Sequence, residues 1–210
     1  MKRINNIKVG INIKDSMKKF EFFLGTLCFI GLIMNFLILT GGGIISVLGI
    51  CTLSSFYMYF SFAFFNNIPL KKIFKKESYH GISRKRISGT VLTGFCLSLA
   101  TIRILFRFQS YPGAVFNLYV GTLGLTIAFI VGVLKYQKNH SSFYPNILKR
   151  IVAIGSLSLV FAILPKFMFM ELKFRNYPVY IEAVKEAANN PNRPELWDNV
   201  NTEREKIYNE

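Results

Sequence analysis

The sequence predicts an all-α polytopic membrane bundle of five transmembrane helices, two tandem hairpins plus one, followed by a short C-terminal helical hairpin. Three observations carry that prediction. Five apolar stretches fill most of the first 170 residues, at 20–39, 44–65, 88–108, 114–134 and 151–169. Mean hydropathy is +0.35 and only 18% of residues are charged, below the roughly one quarter usual in soluble domains. Nearly all of those charges lie between the apolar stretches rather than within them. About 20 residues of helix cross the ~30 Å hydrocarbon layer. Backbone polar groups there must be satisfied internally, which non-alternating runs of this length achieve only as helices.

The elements follow in order. Residues 1–19 form a polar cytoplasmic segment, and 20–65 a transmembrane hairpin closed by Thr40-Gly41-Gly42-Gly43. Residues 66–87 are a basic cytoplasmic loop, 88–134 a second hairpin closed by Gln109-Ser110-Tyr111-Pro112-Gly113, and 135–150 a second cytoplasmic loop. The fifth span occupies 151–170, and 171–210 form an outer helical tail. Residues 1–170 carry twenty Lys and Arg against three acids, whereas 171–210 carry six against eight. Short loops rich in Lys and Arg stay on the cytoplasmic side. That rule places the amino terminus inside and, after five crossings, the carboxyl terminus outside. It also accounts for the basic pI near 9.9 without nucleic acid. The run after residue 19 lacks a small-residue exit like that of a cleaved signal peptide, so the first span is expected to stay attached.

A shift of 70 residues lays the first hairpin on the second, with Phe36/Phe106, Gly43/Gly113, Leu48/Leu118, Thr52/Thr122 and Leu53/Leu123 coinciding without a gap. The turns coincide too, with Gly43 and Gly113 at the bends and Pro112 fixing φ before Gly113, as a type II turn prefers. Two crossings separate the copies, so the repeat is parallel rather than inverted.

The second hairpin, with Phe106-Arg-Phe-Gln-Ser-Tyr-Pro-Gly-Ala114 between apolar runs and Gly121-Thr-Leu-Gly124 beyond, resembles the membrane hairpin of GldL-like proteins. These are inner-membrane motor subunits of the gliding and type IX secretion machinery of Bacteroidota. The resemblance covers residues 20–135 and implies a bacterial inner membrane, an envelope complex and a membrane-protein partner or homo-oligomer. It does not carry over a proton-driven motor role. Such motors are thought to use a membrane-embedded Glu, and spans one to four hold no acid beyond Glu21 at the cytoplasmic edge.

Arg103 and Arg107 are the candidate intramembrane charge site. A charge at mid-helix costs about 2.5–3.5 kcal/mol on insertion scales, which makes such residues functional suspects. Their spacing of four places them on one face, with Tyr111 a turn further. Arg107 lies close enough to the end of the span to snorkel. Arg103 requires a lipid phosphate, an acid of the outer tail or a carboxylate on another subunit. Lys71, Lys72, Lys75, Lys76, Arg84, Lys85 and Arg86 are candidate contacts for anionic lipid, each worth about 1 kcal/mol near the surface. His80 and His140 lack ligand partners nearby in sequence, and Cys28, Cys51 and Cys96 fall inside apolar spans as packing residues. No catalytic, cofactor or metal site is expected.

In the tail, Pro178 opens a helix carrying Tyr180, Ile181 and Val184. Pro194 starts another, striped by Leu196, Trp197, Val200 and Ile207. So small a hairpin cannot bury its stripe alone, which makes Trp197 and Val200 candidate docking residues. The function expected is a non-catalytic subunit or scaffold. A small transporter or channel with Arg103 in an anion path is the alternative.

Overall fold

The computed structural model describes residues 2–109, 114–190 and 192–209, and for 2–16, 114–119, 162 and 208–209 the backbone course alone. The described residues form helices α1 (Lys2–Phe36), α2 (Gly42–Phe65), α3 (Arg84–Phe108), α4 (Ala114–Asn139), α5 (Phe143–Ile163), α6 (Met168–Lys173), α7 (Pro178–Asn189) and α8 (Glu195–Asn209), with no strand among them. Among the described residues four segments are long and apolar enough to cross a membrane: Met17–Phe36, Gly42–Phe65, Arg84–Phe108 and Val120–Asn139. Their outward faces are apolar, with Phe22, Ile44, Leu123 and Ile127 all exposed. Hydrocarbon would require such a surface.

Two helices depart from the expected bounds. α1 begins at Lys2 rather than at the first apolar run. Ile4, Ile7 and Ile11 already follow helical spacing there. The stretch 151–169 is not one helix. Pro165 lacks an N–H, and its ring pushes Leu164 to an extended conformation with ψ 147°, which ends α5 at Ile163. α5 instead reaches back to Phe143, with Pro145 in its first turn, where a missing N–H is tolerated. Its 21 residues make a rod of about 31 Å.

The turn between α1 and α2 also differs from the one expected at Gly43. Ile38, at φ 57°, and Gly41, at φ 80°, take the left-handed conformations. Ile38 N–H donates to the Asn35 carbonyl and Leu39 N–H to that of Met34, the paired closure of a Schellman motif. Gly43 lies inside α2 with open space where a Cβ would stand, while a Cβ on Gly42 would come within 2.5 Å of the α1 backbone. Pro112 and Gly113, the corresponding residues of the second turn, lie outside the described residues.

α2 packs between α1 and α3, while α3 also touches α4 and α5, which pack on each other. α3 is the central rod: 56% of its apolar window is buried, against at most 33% for the other three. Small residues permit the closeness. A Cβ on Gly94 would lie 1.9 Å from Ser61 Oγ, and one on Gly31 would lie 2.6 Å from the Ser46 nitrogen. Either substitution would force two backbones apart.

α5 is tied to α1 across the bundle by charge. Arg150 pairs with both carboxylate oxygens of Glu21, and the two side chains are only 18% and 15% exposed. Tyr57 of α2 donates to Glu21 Oε1 at 2.7 Å, and the Arg150 guanidinium lies 4.6 Å from the Phe64 ring centroid. The acid is thereby shared by three helices. Glu21→Gln should destabilise the detergent-solubilised bundle by about 3 kcal/mol, because Arg150 would remain partly buried without its counter-ion. In the same thermal unfolding series, Glu21→Gln/Arg150→Met should recover much of that loss. Two additive losses would show that the groups do not act as a pair.

Candidate functional site at the capped end of the bundle

Helices α6, α7 and α8 cover the end of the bundle opposite the basic connection 66–87. Pro178 stands at the first turn of α7, as its fixed φ favours. The hairpin does not bury its stripe alone. Val184, Ala187, Val200 and Ile207 close around Met170 and Phe174, with Ile38 from the α1–α2 turn packed against them. The strained left-handed Ile38 is thus part of the cap's seat. Val200, 4% exposed, belongs to this core, whereas Trp197 is 40% exposed and lines a cavity beside it.

That cavity, of about 300 Å³, is enclosed by the ends of α1, α2 and α3 and by the cap. Asn35, Gln109, Lys173, Asn201 and Arg204 supply its polar lining, and Phe108, Tyr180 and Trp197 contribute aromatic wall. Among the described residues no carboxylate side chain lines it. A hydrogen-bonded chain lies at one side: Lys173 Nζ donates to Asn35 Oδ1 at 2.5 Å, Asn35 Nδ2 to Ser46 Oγ at 3.1 Å, and Gln109 Nε2 to Ser46 Oγ at 3.4 Å. Burial lowers the Lys173 ammonium from 10.5 to about 8. Nothing in the sequence pattern singled out Asn35 or Lys173. Their partners lie 11 and 138 residues away.

Arg107 is bonded to the end of α5. Its Nε donates to the Phe161 carbonyl at 3.0 Å and its Nη2 to that of Leu164. It therefore satisfies the carbonyls that Pro165 leaves at the end of α5, where a cation is also favoured by the helix dipole. Arg103, one turn closer to the middle of α3, is 3% exposed and turned into the protein. Its burial places it among the protein's own helices. The reason is the central position of α3, whose face at Arg103 is covered by its neighbours. Among the described residues Arg103 Nε and Nη1 have no hydrogen-bond partner, and neither does Ser158 Oγ of α5 or Thr122 Oγ1 of α4. Arg86 meets Phe143 at one end of α3 and Arg107 meets Phe161 at the other, so α3 and α5 run parallel. The same offset sets Ser158 level with Arg103.

The basic residues are divided by the fold. Lys71, Lys72, Lys75 and Lys76, on or beside the short helical turns of the connection, and Arg84 and Lys85, in the first turn of α3, are exposed. Arg86 is engaged internally: its Nε donates to Asn66 Oδ1 at 2.8 Å, and its guanidinium lies 3.7 Å from the Phe143 centroid. Among the described residues no cluster of three His, Cys, Asp or Glu could hold a metal ion.

Comparison with protein-family models, curated proteins and solved structures finds no match.

The Lys173 shift gives the cap a pH signature. A depressed folded-state pKa means that the unfolded cap binds more protons between about pH 8 and 10.5. Stability should therefore rise with pH through that window. Thermal unfolding of the full chain in detergent, followed by fluorescence of the single Trp197, should show this rise. Lys173→Met should lack the Lys173 component of the slope. Equal slopes in both proteins would contradict the buried ammonium.

Proposed function

We propose that this protein is a non-catalytic, multi-pass subunit of a bacterial inner membrane, with α5 as a fifth span, the amino terminus cytoplasmic and the cap periplasmic. The loop charges support that orientation, and the length of α5 supports the fifth crossing. In this reading the subunit assembles with an envelope complex by receiving an acidic segment of a partner in the cap cavity. The observation that carries it is the cavity lining: Lys173 and Arg204 line the same space as three amides, with no carboxylate among the described lining residues. A desolvated ammonium near its titration point gains most from an anionic neighbour. Trp197, partly exposed beside these groups, offers the kind of aromatic anchor common at interfaces. The GldL-like turn motif supports a gliding- or secretion-type complex, and self-assembly of the same subunit is compatible with it.

A photo-crosslinking residue in place of Trp197 tests the reading in cells. The full chain should give a discrete higher-mass adduct, which Lys173→Glu/Arg204→Glu removes while the protein remains in the membrane at wild-type level. Lys173→Arg, which keeps the charge, should retain the adduct. No adduct from the full chain, or one indifferent to the charge reversals, would overturn it.

A second reading, a small anion path, is favoured by the two unused donors of Arg103 at the depth of Ser158. Proteoliposomes should then pass iodide faster than protein-free vesicles, and Arg103→Leu should abolish the difference. Absence of that flux removes the reading.

A further inference from the structure

A second cavity, of about 550 Å³, lies between α3, α4 and α5 at the basic end of the bundle. Its size falls within the roughly 300–1,000 Å³ common for small-molecule sites. Apolar and small side chains, including Leu92, Cys96, Ala128, Val131 and Ile147, line its length, and Lys85 and Lys135 stand at its mouth. From Lys85 to Cys96 the α3 wall extends about 16 Å at 1.5 Å per residue. Most of its α3 and α4 walls belong to segments long and apolar enough for a membrane.

We infer that this groove holds an anionic phospholipid, one acyl chain along the apolar wall and the phosphate between Lys85 and Lys135. Charge complementarity selects the head group. Among the described residues no acid lines the groove and neither lysine forms an ion pair. The α3 amino terminus reinforces the attraction. A helix start favours anions, yet this first turn carries Arg84, Lys85 and Arg86 with no acid to occupy it. Arg86 lines the groove as well, but its guanidinium is held by Asn66 and Phe143. The two lysines therefore make the head-group contact. The exposed lysines 71, 72, 75 and 76 do not line this groove. The site thus differs from general attraction of a basic loop to a charged surface.

Gly89 supplies a way to close the groove. It lines the cavity, and a Cβ added there meets nothing within 4 Å. The inference rests on the proposed orientation only in assigning the groove to the cytoplasmic leaflet. Binding in detergent is measured without orientation, so the two can fail separately.

The test uses native mass spectrometry of the full-length protein with an equimolar mixture of dioleoyl phosphatidylglycerol and dioleoyl phosphatidylcholine. Wild type should retain phosphatidylglycerol preferentially, and Lys85→Gln and Lys135→Gln should each lower its retention about five-fold. Gly89→Phe should lower retention of phosphatidylglycerol without changing the melting temperature. Lys71→Gln/Lys75→Gln should leave retention at the wild-type level, and excess glycerol 3-phosphate should not displace the lipid. Where Gly89→Phe fails to fold, the lysine variants decide. Wild-type retention by Lys85→Gln/Lys135→Gln, or by a folded Gly89→Phe, overturns the inference. An equal loss in Lys71→Gln/Lys75→Gln overturns it in favour of diffuse charge. Displacement by glycerol 3-phosphate overturns it in favour of a soluble phosphate ligand.

Discussion

A polar group shut away from water must find its partner inside the protein, and this constraint organises the bundle. Glu21, the one acid of the four apolar segments, is met by Arg150 and Tyr57, which couples α1 to α2 and α5. At the other end of α5, the carbonyls released by Pro165 are met by Arg107. α5 is thus held in its first half by an ion pair and at its end by a charge-assisted cap. Both contacts would leave a charge or a carbonyl unsatisfied if the helix moved away. The apolar packing of Leu97, Leu125 and Ile151 fills the space between these ties.

The two ends of the bundle are built differently. At the basic end, Arg86 joins the last turn of α2 to the start of α5 through Asn66 and Phe143, leaving Lys85 and Lys135 at the mouth of an apolar groove. At the capped end, Asn35, Ser46, Gln109 and Lys173 connect the bundle to a small helical cap with its own core. Each end therefore presents cations beside an apolar wall, one beside lipid-sized space and the other beneath an exposed tryptophan. Arg103 is the exception to the pairing rule, buried with two donors unused. Its cost is understandable as a functional feature only if an anion or water reaches it.

Much of the architecture was legible in the sequence, for a physical reason. Apolar length specifies a helix wherever the backbone cannot turn to water for hydrogen bonds. The tail was readable for a related reason: Pro178 and Pro194 mark helix starts, and Val184, Val200 and Ile207 fall on faces that the structure buries. What escaped were the features set by partners distant in sequence. Glu21 and Arg150 are separated by 129 residues. The acceptors of Arg107 are backbone carbonyls, which no residue pattern reveals. The short α6 was hidden because its apolar residues continue those of α5, with only Pro165 and Lys166 interrupting the run. The α1–α2 bend fell at Ile38 and Gly41 rather than Gly43 because three consecutive glycines give little indication of which one turns.

In the proposed topology α5 crosses the membrane, tied by Glu21–Arg150 and by Arg107. Site-directed labelling tests it most directly. Cys28, Cys51 and Cys96 are replaced, and a single cysteine is placed at Lys138 or at Lys166, on either side of α5. A membrane-impermeant maleimide should label position 166 in intact spheroplasts and position 138 only after permeabilisation. Labelling of both positions from the same side would contradict the account.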